Sequence, residues 1–233
     1  MTMILHTISG APRPWRVLLG FAFKGLTYDT RLLEASKGEH RRRPFTDLNP
    51  RATVPVLQVD GHVMSDSIGI LAWLDRQYPE TPLFGQTTDQ AAEIWQITTD
   101  TGDYLRAAID AVLRPVLVLQ APLPEPGTEK RAEIEQAAET LHAECRRLED
   151  LLDGRKFLAG GDQPSAAEAI AFPEIRLIER AVDTKYEIMS ALGFDNPPAR
   201  YPRIAAWKER VGALPGVAGT LPPHWFAPQT ANT

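Results

Sequence analysis

Strand signals in this chain are confined to its first 80 residues, and that asymmetry limits the fold more than any single motif does. "MILHTI" is a short β-rich run, and "PWRVLLGFAFKG" reads as a helix closed at Gly25. "LTYDTRLLE" follows as a second strand, and "GEHRRRPFTDLNP" leaves room for one irregular helix. "VPVLQVDGHVM" is two short strands around Asp60-Gly61, a strong hairpin signal. "SDSIGILAWLDRQYP" is a helix with Ile68, Leu71 and Leu74 on one face, stopped before Pro79. The order β-α-β-α-β-β-α describes a small mixed sheet flanked by helices.

Beyond the Pro-, Gly- and Thr-rich "YPETPLFGQTT", strand signals nearly vanish. The pattern is helical from Asp89 to about Leu119, until three prolines in "QAPLPEPGT" break it. The next helix places Ile134, Ala138, Leu141, Cys145, Leu148 and Leu152 on one apolar face. Ser165 and Glu168 open "PSAAEAIAFPEIRLIERA" in the S-x-x-E capping pattern, and "YPRIAAWKERVGAL" is the last clear helix. The expected organisation is a domain at 1–80, a linker at 81–88, an all-helical domain at 89–220 and a Pro-rich tail at 221–233.

Composition excludes several classes. With 43% hydrophobic and 24% charged residues the chain reads as an ordinary globular protein. A net charge of −5 argues against nucleic acid as a partner. No stretch approaches the ~20 apolar residues of a transmembrane helix. The N-terminus lacks the features of a signal peptide, so the expected compartment is the cytoplasm. The single Cys145 excludes an internal disulfide and a CxxC pair, and its place on an apolar helix face favours a buried structural cysteine over a reactive one.

"NPRATVPVLQVDGHVMSDSIGI" is the most informative segment. Proline makes a cis bond accessible at Val54-Pro55, which would turn the Val54 N–H and C=O outward to pair with an extended peptide. A trans proline at a strand start fits the same residues. Asp66-Ser67 begins a helix. The Ser67 hydroxyl and the free N–H groups there suit a carboxylate, and Asp66 could accept from an ammonium. Together they suit the α-amino-acid end of a small ligand; taken alone, they are a helix cap.

The ordered set Asn49-Pro50, Val54-Pro55-Val56-Leu57 and Asp66-Ser67-Ile68, with an all-helical second half, closely resembles the cytosolic glutathione transferase superfamily. "GEHRRRPFTDLNP" is similar to the "GEHK-x-PEF-x-x-x-NP" region of plant phi-class and related bacterial members. "FLAGGDQPSAAEAIAFPEI" resembles the "FLAG-x-x-x-S-x-AD" region, with Glu168 where an aspartate is usual. The resemblance runs from about residue 3 to 213. It implies an α/β thioredoxin-like N-terminal domain with cis-Pro55, an all-α C-terminal bundle, a homodimer, and glutathione as co-substrate with no metal. Val54 would then pair with the cysteinyl part of glutathione, and Asp66 and Ser67 would hold the γ-glutamyl end. Thr53 stands where a ligand-reaching glutamine is common. His40 and Arg41 fall on a His-Lys pair that binds the glycine carboxylate, a role that a guanidinium suits. A solvated basic face is the other reading of "HRRR", and Arg42 and Arg43 are weaker candidates than their neighbours.

Such enzymes stabilise the thiolate of glutathione, whose thiol has an unperturbed pKa of about 8.5. A hydroxyl donor and the N-terminus of the first helix both favour the anion. Aligning "APRPWRV" with the family's "SP-x-x-x-RV" puts Ala11 at the serine's place. The candidates left are Ser9, Arg13 and bare backbone N–H groups. Arg13 would lie against the helix dipole, Arg16 reads as structural and His6 as a packed side chain. No cysteine stands in the turn, which argues against mixed-disulfide chemistry. The expected activity is attack of the thiolate on a small hydrophobic electrophile. Its site would be lined from "EIWQITTDTGDYLRAAIDAVL" and the tail "PPHWF", with Tyr104 and Trp225 as candidates and ordinary packing as their alternative. Other outcomes of the same fold are a non-enzymatic binding or scaffold protein, or a glutathione-dependent dehalogenase, isomerase or peroxidase.

Overall fold

The structure is a computed structural model that describes residues 2–225. Two compact units divide the chain: residues up to Leu83 together with the segment from Ala213, and Phe84–Gly212.

The first unit is built on a four-stranded sheet of order β2-β1-β3-β4, from Met3–Thr7 (β1), Asp29–Leu32 (β2), Val56–Val59 (β3) and His62–Met64 (β4). β1 and β2 run parallel, and the other two pairs are antiparallel. Asp60 and Gly61 both take positive φ (43° and 91°), which joins β3 to β4 through a tight hairpin turn. Helices Pro12–Phe23 (α1), Phe45–Leu48 (α2) and Ser67–Gln77 (α3) complete the expected order. Gly25 (φ 62°) follows the end of α1 in the left-handed conformation. α1 and α3 pack closely enough that a Cβ on Gly20 would collide with Leu71. The buried stripe of α3 is Ser67, Ile70, Leu71 and Leu74, so Ile70 takes the place expected for Ile68, which is half-buried.

α1 is apolar on more than one side, with Trp15, Val17, Leu19 and Phe21 all buried. The second side is covered by the C-terminal segment, which runs back along the helix. Gly216 lies against Ala22, the Trp15 indole N–H donates to Thr220 Oγ1 at 2.8 Å, and Trp225 meets Trp15 edge-on at 5.4 Å. Residues 213–220 therefore belong with the first unit, where the sequence pattern had joined them to the helical domain. Residues 226–233 of the expected tail lie outside the described residues. The stretch expected as a linker is tied down: Lys24 Nζ donates to Tyr78 O at 2.7 Å and Thr81 O at 2.5 Å, and the Leu83 N–H donates to Asp75 at 2.5 Å.

The second unit is all helical. Thr88–Asp100 (α4) and Arg106–Leu113 (α5) are joined and extended by π-helical turns at Thr101–Leu105 and Arg114–Val118, the wider turns that insert a residue into a helix. Glu129–Leu151 (α6) buries Ala138, Leu141, Cys145 and Leu148, and Leu152 is buried just beyond its end. Burial pushes the Cys145 thiol up to about 12, far from reactivity. Ala166–Thr184 (α7) follows, then Tyr186–Ala191 (α8), Pro197–Arg200 (α9) and Pro202–Gly212 (α10). His142 of α6 bonds Tyr201 Oη at 2.7 Å and Leu192 O at 2.9 Å, anchoring the α8–α10 region. Among the described residues no helix is long and apolar enough to cross a membrane.

Candidate functional site

Strand register brings the expected ligand residues to one end of the sheet. His6 pairs with Val56, so Val54 continues opposite Ile8, beside the Ser9–Ala11 turn. Met64 pairs with Leu57 and leads within three residues into α3, which places Asp66 and Ser67 at the same end. Leu32 lies beside Thr7 and opens the loop carrying His40 and Arg41.

Val54-Pro55 is cis, as is Arg43-Pro44, which the sequence did not announce. The loop before Val54 is organised by the buried Asn49. Its Nδ2 donates to Thr53 O at 2.8 Å and Thr53 Oγ1 at 3.1 Å, and its Oδ1 accepts the Arg51 N–H at 3.1 Å. The backbone N–H and C=O of Val54 make no hydrogen bond among the described residues, while Thr53 is exposed.

At α3 the cap is Asp66, and Ser67 is the first helical residue. Asp66 Oδ1 accepts the N–H groups of Ile68 (2.9 Å) and Gly69 (2.8 Å), which removes those donors from any ligand. Its other oxygen, on an exposed residue, carries no bond, and neither the N–H nor the hydroxyl of Ser67 has a partner among the described residues. The pair thus presents one acceptor and two donors side by side, the complement of an ammonium and a carboxylate on one carbon.

The basic run separates by partner. Arg42 donates to Lys37 O, and Arg43 pairs with Asp47 at 3.1 Å. The Arg41 side chain is exposed with no partner among the described residues, and His40 Nδ1 is buried without one. His6 is packed as expected, bonded to Gln58 Oε1 at 2.7 Å and tilted against Phe45.

The N-terminus of α1 is poor in donors. Ala11 occupies the cap position and supplies no side-chain bond. Pro12 and Pro14 have no N–H, the Ala11 N–H donates to Ile8 O at 3.1 Å and the Trp15 N–H to Ala11 O at 3.2 Å. Of the bare N–H groups in that turn of helix, only that of Arg13 is left, and the Arg13 side chain is exposed. Ser9 Oγ lies 3.2 Å from His224 Nδ1, a residue that no periodicity in the Pro-rich tail could have singled out. Ser9, Gly10 and Ala11 also line a cavity of about 400 Å³, walled by Trp15, Tyr28, Thr30, Leu32 and residues 219–223. Trp225 belongs to this unit, whereas Tyr104 is exposed on the second unit, in the first π turn. Among the described residues no group of three or more His, Cys, Asp or Glu could hold a metal ion.

Comparison with known proteins identifies the family. The family described as "Glutathione S-transferase, N-terminal domain" matches residues 11–77, and "Glutathione S-transferase, C-terminal domain" matches residues 131–210, together more than half of the chain. The chain is 28% identical to glutathione S-transferase 1 of Dianthus caryophyllus, over 87% of this chain and 83% of that protein. It is 26% identical to glutathione S-transferase theta-1 of Bos taurus, over 88% and 80%. A glutathione S-transferase crystal structure from the Antarctic clam Laternula elliptica superimposes with a TM-score of 0.80 at 24% identity, covering 97% of this chain and 94% of the other, a likeness of fold. The chain belongs to the cytosolic glutathione transferase superfamily.

Proposed function

We propose that the chain is a glutathione transferase in which Val54 pairs its backbone with the cysteinyl part of glutathione. Asp66 and Ser67 hold the γ-glutamyl α-amino-acid group, and His40 and Arg41 meet the glycine carboxylate, with Thr53 at the edge of the site. The observation that carries the reading is the set of unused groups at one end of the sheet: the Val54 amide and carbonyl, the second oxygen of Asp66, and both donors of Ser67. The sulfur then lies towards the Ser9–Ala11 turn and attacks an electrophilic carbon. Among the described residues no charged side chain lines the cavity beside that turn, which favours an uncharged, largely apolar electrophile. A cytoplasmic homodimer is part of the proposal.

Calorimetric titration with glutathione, repeated on Asp66→Ala, tests the binding; an electrophile panel tests the chemistry. Wild-type binding that the substitution weakens supports the reading, and absence of binding at millimolar glutathione sinks it. The bare N-terminus of α1 favours one second reading, a protein that binds glutathione without activating it. Tight binding with no turnover and an unshifted thiol would mark that outcome.

A further inference from the structure

From the Ser9–His224 contact we infer that the C-terminal segment completes the thiol site, with His224 acting through Ser9 as the proton acceptor for glutathione. The inference rests on the glutathione reading above and supplies the group that α1 lacks. Three observations meet at one place. The helix offers no capping hydroxyl and, in its first turn, one free N–H, at Arg13. Ser9, the nearest hydroxyl, sits 3.2 Å from His224 Nδ1. Gly10 leaves room for the segment: a Cβ there would fall 3.1 Å from Trp225 Nε1 and 3.2 Å from His224 Cε1, so the imidazole is seated directly on the turn.

Imidazole is the side chain whose ordinary pKa suits uptake and return of a proton near neutrality. With the hydrogen on Nε2 and Nδ1 as acceptor, the Ser9 hydroxyl donates to the imidazole. The thiol gives its proton to Ser9 Oγ as the Ser9 proton passes to Nδ1. One S–H bond breaks, one N–H bond forms, and the electron pair left on sulfur attacks the electrophilic carbon. The departing group takes the electron pair of the bond that breaks and then the proton held on the imidazole.

Among the described residues the segment 213–225 carries no Asp, Glu, Lys or Arg, and Ser9, Gly10 and Trp225 lie against the ring. On the neighbouring elements, α1 contributes the exposed Arg13 and the buried Arg16, and β1 the packed His6. Tyr28, Asp29 and Arg31 stand at and before β2.

The test follows the ultraviolet absorbance of the bound glutathione thiolate against pH in wild type, His224→Gln, Ser9→Ala and Ser9→Thr, with glutathione affinity measured beside it. In wild type the thiol ionises well below the free value of about 8.5. His224→Gln and Ser9→Ala raise that midpoint by about one pH unit or more, a tenfold loss of acidity, while glutathione affinity measured at a pH below the wild-type midpoint holds. Ser9→Thr, which keeps the hydroxyl, retains the wild-type midpoint. For any electrophile turned over, kcat/KM falls about 10²-fold in the first two variants. A wild-type midpoint in His224→Gln overturns the inference, as does a bound thiol that titrates like free glutathione. Wild-type protein that binds no glutathione overturns the underlying reading instead, and the affinity measurement tells the two failures apart.

Discussion

A carboxylate serves the N-terminus of both α3 and α7, as the cap Asp66 in one and as Glu168, three residues behind the cap Ser165, in the other, and the two carboxylates have opposite fates. Glu168 is fully buried and spends both oxygens on the protein. Oε1 accepts the Leu158 N–H at 2.6 Å and the Trp207 indole N–H at 3.4 Å, and Oε2 accepts the Ser165 N–H and hydroxyl at 2.9 and 2.8 Å. Asp66 is exposed and spends one oxygen; among the described residues the second oxygen and the donors of the buried Ser67 are unbonded. Carboxylate hydrogen bonding thus serves the fold alone where both oxygens are taken inside, and leaves an acceptor over where one is not. α1 is the contrasting third case, since it has neither a capping side chain nor a full set of donors.

Glu168→Ala should give the largest effect. It strands the Leu158 and Ser165 N–H groups in the core and should cost about 4 kcal/mol in urea unfolding, with glutathione affinity of the folded protein unchanged. Glu168→Asp, which restores the residue usual in the family, is too short to reach both donors at once and should cost about 2 kcal/mol. A destabilised protein that also lost glutathione would break the separation between the two carboxylates.

Asp66→Ala should act the other way round, lowering glutathione affinity by about 10²-fold while costing only about 1 kcal/mol of stability. Asp66→Asn sharpens the contrast, because its amide oxygen can keep the cap while the charge facing the ammonium is gone. Its unfolding midpoint should match wild type and its affinity should not.

Burial pushes the Glu168 carboxyl above the usual carboxylate range, against the donors that favour its charged form. The folded state therefore holds this proton more tightly than the unfolded state does. The contribution of Glu168 is complete below the ordinary value of 4.5 and declines as pH rises through the folded value. Unfolding free energy followed upward from that pH should fall less steeply in Glu168→Gln than in wild type. Ala11→Ser should give the smallest change. With Pro14 lacking an N–H, a serine cap can reach only the Arg13 N–H, for a gain of about 0.5 kcal/mol.

Much of the fold was legible because it follows from local patterns. The hairpin at Asp60-Gly61, the S-x-x-E cap at Ser165, and the apolar face through Cys145 all express rules that act within a few residues. The segment α8–α9 was not assigned; it is held by His142 bonds to Tyr201 and Leu192, across some 50 to 60 residues of sequence. The candidate ligand residues Val54, Asp66 and Ser67 carried a local signature, whereas which of the Asp66-Ser67 pair caps the helix depends on the backbone at residue 66. His224 was invisible for a different reason. It reaches Ser9 across 215 residues, from a segment whose only sequence signal is its proline content.

The central claim is that the free oxygen of Asp66 and the donors of Ser67 recognise an α-amino-acid group. Calorimetry with glutathione and with cysteinylglycine, which lacks the γ-glutamyl end, on wild type and Asp66→Asn tests it most directly. Wild type should bind glutathione about 10²-fold more tightly than the dipeptide, and Asp66→Asn should remove most of that difference. Equal affinities in wild type, or a preference that survives the substitution, would contradict it.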